Sequence, residues 1–247
     1  MIRSYHKWFT HRLGREMELL VFGHSGERVV VFPARLGRFY EYEDWRLVEA
    51  LREPLEAGSL QLFCVDGIDG ESLYCENCHP VERIARHKAY ESYVLEEVLP
   101  FTQDLNDHPV LVAHGCSFGA FHAANIALRH PQHFRRLVAL SGRYDLTRSI
   151  GSFRDLFDGH YDQDVYFHTP LHFVPLLEDQ SILRQYRAME IIFVVGREDP
   201  FYDSTRAMSK VLCEKGVSNH LAVWEGEAHR AHYWRQMVRQ YLVPFEP

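Results

Sequence analysis

The chain lacks any run of about eighteen consecutive apolar residues, so no segment reads as a membrane-spanning helix. Met1 to Leu20 carries charges throughout, with no apolar core region and no small-residue cleavage site. That argues against a secretory leader and leads us to expect a cytoplasmic location. Cysteine is sparse and odd in number, five in 247 residues, which argues against a disulfide framework. Cys64 and Cys213 lie in apolar surroundings, where free thiols are usual. There is no basic stripe, and the formal net charge is −7, so neither nucleic acid nor an anionic membrane surface is an expected partner. Internal repeats, low-complexity tracts and Gly/Ser/Pro linkers are also missing. One domain over residues 1–247 is therefore expected. A homo-oligomer is left open.

What is present is ordinary globular composition, 46% hydrophobic and 25% charged, with enough aromatics for a sizeable core. The informative stretch runs from Pro109 to Arg129. Val110 to Ala113 is a short apolar run opened by a proline, and Ala120 to Leu128 is rich in helix formers, so the segment reads strand, sharp turn, helix. The turn is Gly115-Cys116-Ser117-Phe118-Gly119, a G-x-S-x-G pattern in the context that gives it physical meaning. Glycines two residues either side of the serine remove the Cβ atoms that would clash in so tight a fold. Ser117 should then project from the sheet at a helix N-terminus, where the helix dipole and free N–H groups favour developing negative charge. A glycine-rich turn with a capping serine is the plainer alternative.

Around this motif the chain alternates strands and helices. Trp8 to Thr10, Glu16 to Phe22 and Val29 to Phe32 read as strands of an opening meander, the last two joined by Gly23-His24-Ser25-Gly26. The loop Pro33 to Arg38 precedes a helical pattern from Tyr42 to Leu55, with Trp45, Val48 and Leu51 on one face. In a serine hydrolase of this layout that loop supplies the second oxyanion N–H. Spacing alone does not choose between Arg35 and Leu36. Leu60 to Val65 reads as a buried strand, and its exit loop places Asp66 or Glu71 within reach of a substrate. A long helix is expected from Pro80 toward Leu99.

Cys75-Glu76-Asn77-Cys78-His79 has the spacing of c-type haem attachment, but no export signal accompanies it. A zinc site would need a second ligand pair beyond His79 and His87, and none is placed to supply it. Two thiols in a loop are expected. Leu137 to Leu140 reads as another buried strand. Residues 146–187 interleave aromatics such as Phe153, Phe157 and Tyr161 with aspartates and prolines, the texture of a lid inserted over a pocket. Two further strands, Ile191 to Val195 and Leu221 to Trp224, end in loops holding Asp199 and His229. The chain order Ser117, Asp199, His229 is that of an α/β-hydrolase triad. His232 is the alternative base, and Asp145 or Asp203 the alternative acid.

Together the Phe32-Pro33 to Phe39 loop, Val65-Asp66, His114 to Gly119, Gly196 to Asp199 and Ala228-His229 with Tyr233-Trp234 resemble the "putative esterase" family. This is the esterase D/feruloyl-esterase-like branch of the α/β-hydrolase superfamily. The resemblance implies an α/β fold with an eight-stranded, mostly parallel sheet and helices on both faces. It also implies a cofactor-free serine hydrolase acting on small-molecule carboxylic esters. By resemblance the nucleophile maps to Ser117, the acid to Asp199, the base to His229, and the oxyanion donors to Phe118 and Arg35. Where relatives have His-Asp-Trp, this chain has His229-Arg230-Ala231. Acyl transfer, thioester cleavage and a catalytically silent binding module are the alternatives on the same fold.

Overall fold

The computed structural model describes residues 1–244. Eight strands form one sheet in the order β1-β2-β4-β3-β5-β6-β7-β8. They are β1 (Arg3–Thr10), β2 (Arg15–Phe22), β3 (Glu27–Phe32), β4 (Leu60–Val65), β5 (Leu111–Cys116), β6 (Arg136–Leu140), β7 (Glu190–Gly196) and β8 (His220–Trp224). Only the β1–β2 and β2–β4 pairings are antiparallel, and every pairing from β4 to β8 is parallel. This is the α/β-hydrolase architecture expected above.

The opening is not a meander. The chain leaves β2, passes the start of β4 and pairs β3 on its far side. Gly23 and Gly26 permit the crossing, both with positive φ. A Cβ on Gly26 would lie 2.2 Å from the Ser59 backbone carbon.

Alternation along each central strand divides the core. Val30 and Phe32 of β3, with Leu111 and Ala113 of β5, face a cluster under α4 (Pro80–Tyr93), α6 (Phe118–Arg129) and α10 (Tyr202–Glu214). Val29, Val31 and Val112 face the other side, under α11 (Ala231–Tyr241) and the short helices after β3. Both faces of β5 and β6 are buried, as parallel strands require.

The helical pattern over 42–55 is broken into α1 (Glu41–Asp44), α2 (Leu47–Ala50) and α3 (Arg52–Ala57). Arg46, at φ 58°, ends the first turn in the left-handed conformation. Pro54 has no N–H to donate to Ala50, so it sits in the first turn of a new helix. The helix from Pro80 runs further than expected. A π turn over Val94–Val98 leads into α5 (Leu99–Leu105), where Pro100 cannot supply a helical N–H to Glu96.

Cys75 and Cys78 are disulfide-bonded, not the two thiols expected; their Cα atoms are 5.4 Å apart, within reach of a bridge. Between β6 and β7 lie α7 (Gln163–Phe167), α8 (Pro170–Phe173) and α9 (Gln180–Arg187). Leu146, Leu156, Phe157 and Val165 of this segment pack on Phe118 and Phe121 of α6, joining it to the elbow. No helix is long and apolar enough to cross a membrane.

Candidate active site

Ser117 occupies the turn between β5 and α6 with φ 56° and ψ −117°, a conformation costly for any residue with a Cβ. Close packing holds it there. Its N–H donates to the Leu140 carbonyl of β6 at 2.8 Å. A Cβ on Gly115 would come within 2.3 Å of Gly119, and one on Gly119 within 2.3 Å of the Phe32 carbonyl oxygen. His114, although adjacent, is structural. Its Nδ1 donates to the Val138 carbonyl at 2.7 Å, and Nε2 accepts from the Tyr42 hydroxyl at 3.0 Å. Full burial pushes its pKa down to about 4 and keeps the ring neutral.

Asp199 and His229 come from the exits of β7 and β8. The strand end at Gly196 lets the later loop cross directly over it, since a Cβ there would meet the Glu227 carbonyl oxygen at 2.0 Å. Ala228, at φ 49°, then turns the chain so that His229 faces back across the sheet. His229 Nδ1 donates to Asp199 Oδ2 at 2.9 Å, and Nε2 accepts from Ser117 Oγ at 3.0 Å. The other Asp199 oxygen accepts the Phe201 N–H at 2.8 Å. With its side chain wholly buried, this carboxylate fixes which ring nitrogen carries the proton. Phe201 and Trp234 meet the imidazole edge-on, with centroids 5.5 and 5.2 Å away.

The alternatives lie elsewhere. His232 is exposed on the first turn of α11 against the Tyr233 ring, and Asp203 is exposed on α10. Asp145 accepts from the Thr147 N–H and hydroxyl. Asp66 is fully buried and held by Arg38 at 2.5 Å. Glu71 pairs with Arg15 and Arg86. Neither acid reaches the Ser117 cavity, contrary to the expectation from their loop.

The Pro33 to Arg38 loop lies opposite the elbow. The Leu36 N–H is committed to Asp69 Oδ2 at 2.9 Å, whereas Arg35 lines the cavity. Among the described residues the backbone N–H groups of Arg35 and Phe118 have no protein acceptor. The cavity above Ser117 has a volume of about 220 Å³. Its walls include Trp45, Tyr74, Phe153 and Trp234, besides Glu41 and Arg143. Glu41 accepts the Ala34 N–H at 2.7 Å, and burial pushes its carboxyl up to about 7. Glu41 immediately precedes the helical pattern read from Tyr42, and nothing in the sequence marks it as a residue of the cavity wall. His79 caps α4 together with Glu82, while His87 is buried without a partner; no group of three or more metal-ligating side chains occurs among the described residues.

Solved structures share this fold at low identity. A ferulic acid esterase superposes with a TM-score of 0.75 at 14% identity, covering 98% of this chain and 96% of its own. A Staphylococcus aureus fluorophosphonate-binding serine hydrolase gives 0.70 at 14%, covering 99% of both chains. An S-formylglutathione hydrolase from Agrobacterium tumefaciens gives 0.68 at 16%, covering 97% of this chain and 92% of its own. Among curated proteins, none matches the chain. The family model described as Putative esterase matches residues 42–242, from α1 to the end of the last helix. The chain therefore belongs to the Putative esterase family of the α/β-hydrolase superfamily.

Proposed function

We propose that this protein is a serine carboxylesterase that cleaves small-molecule esters through an acyl-enzyme on Ser117. The observation that carries the reading is the continuous hydrogen-bond chain from Asp199 through His229 to Ser117, ending at a cavity faced by two unengaged backbone N–H groups. Ser117 is inert at its own pKa and needs a base within hydrogen-bond reach. His229 Nε2 takes the hydroxyl proton as Oγ attacks the acyl carbonyl, and Asp199 stabilises the imidazolium so formed. The N–H groups of Phe118 and Arg35 receive the developing oxyanion; loss of one such donor typically raises the barrier by about 3–4 kcal/mol. Collapse of the tetrahedral species transfers the proton from His229 to the departing alkoxide. Water, deprotonated by the same imidazole, then releases the acid and regenerates Ser117.

A cavity of about 220 Å³ suits a short acyl group. Residues 146–187 act as its lid, a role supported by Phe153 in the cavity wall and by the packing of Leu156 and Phe157 on the elbow helix side chains. The test is hydrolysis of p-nitrophenyl esters from acetate to decanoate by wild type and Ser117→Ala, with fluorophosphonate labelling in parallel. Turnover by wild type, a loss of about a thousandfold or more in the variant, and labelling that requires Ser117 are expected. Equal turnover by the two proteins would remove Ser117 from the mechanism.

A further inference from the structure

Arg143 is buried to 2% exposure in the exit loop of β6, beside the elbow. Its Nε donates to the Asp145 carbonyl, and Nη2 to those of Leu146, Arg148 and Arg154. These are dipoles, not charges, and no carboxylate pairs with the guanidinium among the described residues. Nη1 has no acceptor at all. A buried cation left with open donors is costly unless an acceptor meets it. Nη1 is itself shut off from solvent, but the side chain lines the Ser117 cavity, so its unpaired charge acts on whatever binds there.

A second guanidinium stands in the same wall. Arg35 forms no ion pair among the described residues, and its guanidinium carbon lies 5.7 Å from the Tyr74 ring and 5.8 Å from the Phe153 ring. Two aromatic faces thus hold a cation at the mouth without neutralising it. The one carboxyl in the wall outside the Asp199–His229 pair is Glu41. Burial favours the protonated form of that group, so it offsets the two arginines incompletely. In a protein of net charge −7, a small cavity with two unneutralised guanidiniums is selective for charge of the opposite sign.

We propose that the cavity selects esters that carry a carboxylate, with the exposed Arg35 guanidinium receiving that group at the mouth and the buried charge of Arg143 favouring it from the wall. The inference rests on the serine esterase reading and specifies its substrate class. A planar carboxylate suits the Arg35 guanidinium fork, whereas a neutral ester of equal size gains nothing from either charge. The carboxylate can belong to the acyl part or to the alcohol part of the substrate.

The test compares kcat/KM for monomethyl succinate and its neutral isostere dimethyl succinate by pH-stat, each normalised to its rate with hydroxide. Acetoxyacetic acid against methyl acetoxyacetate tests the alcohol side. Wild type is expected to prefer the anionic member of at least one pair by tenfold or more, and the pair identifies the side. Arg35→Gln should bring that ratio near one, and Arg143→Gln should lower it several-fold. Because Arg143 also ties down the lid segment, Arg35→Gln on the exposed cation is the reading that does not depend on how that segment packs. As a readout free of turnover, succinate should slow fluorophosphonate labelling of Ser117 at concentrations where butyrate does not.

Equal or better turnover of both neutral esters, with no protection by succinate, overturns the carboxylate proposal and leaves the esterase reading standing. Failure of all four esters and of labelling sinks the esterase reading itself. An unchanged ratio in both folded variants removes the arginines as its cause.

Discussion

The Asp69 carboxylate joins the elbow helix to the loop facing it: Oδ2 accepts the Leu36 N–H at 2.9 Å, and Oδ1 accepts from His122 Nε2 at 3.1 Å. Leu36 is held at φ 59° by this bond, which turns the preceding peptide so that Arg35 faces the cavity. Asp69 touches no reacting atom in the mechanism proposed above. In that mechanism it positions the proposed oxyanion donor.

Asp69→Ala is expected to lower kcat by about ten- to a hundredfold, because a donor displaced by an ångström loses much of its effect on the transition state. KM should change only a few-fold. Asp69→Asn keeps one carbonyl oxygen for Leu36 and should recover part of the loss. If the alanine variant retains full kcat while remaining folded, the loop does not depend on this carboxylate.

Two histidines lie three residues apart between the exit of β8 and the first turn of α11, and their placement predicts opposite results. His229→Ala removes the acceptor of the Ser117 hydroxyl and should abolish ester turnover. His232→Ala removes a side chain exposed against Tyr233 and should leave kcat/KM within a few-fold of wild type. Normal turnover in the first variant and loss in the second would reverse the assignment of the base.

The site was legible where its chemistry is local. Ser117 is announced by glycines that the tight turn requires within a few residues, and Leu60 to Val65 is bounded in the sequence as it is in the fold. Sheet order was less legible. A glycine-rich turn between two apolar strands looks the same whether they pair or admit β4 between them, and only long-range packing decides. Nor does periodicity reveal a charged side chain turned into the site. Glu41 immediately precedes the helical pattern from Tyr42, and Arg143 follows the strand ending at Leu140; neither position signals a side chain of the cavity wall. The spacing of Cys75 and Cys78 is likewise identical for two thiols and for a bridge.

The elbow predicts opposite stability effects two residues apart. Gly119→Ala places a methyl group against the Phe32 and Pro33 carbonyl oxygens, at 2.3 and 2.7 Å before relaxation, and should destabilise by several kcal/mol or prevent folding. Ser117→Gly instead relieves a backbone strain of about 1–3 kcal/mol, against about 0.5–1 kcal/mol of added chain entropy in the unfolded state. Its melting temperature should equal or exceed that of wild type while activity disappears. Thermal unfolding of both variants checks the pair. A marked fall in the melting temperature of Ser117→Gly would show that the turn is not strained.

Glu41 makes stability depend on pH with a definite sign. Its carboxyl is raised from 4.5 to about 7, chiefly by burial, with the charges of Asp69 and Asp44 adding to the rise and the Ala34 N–H opposing it. The folded state therefore binds this proton more tightly than the unfolded chain does. The associated stability is fully present below about pH 4.5 and is lost progressively as pH rises through 7. Each tenfold gain in proton affinity on folding is worth about 1.4 kcal/mol, so the loss amounts to at most about 3 kcal/mol. Glu41→Gln keeps an oxygen for the Ala34 N–H and does not ionise. Its stability relative to wild type should therefore rise between pH 5 and 8. Chemical denaturation at pH 5, 6, 7 and 8 measures the difference directly, and parallel curves for the two proteins would mean that Glu41 is as easily ionised in the fold as outside it.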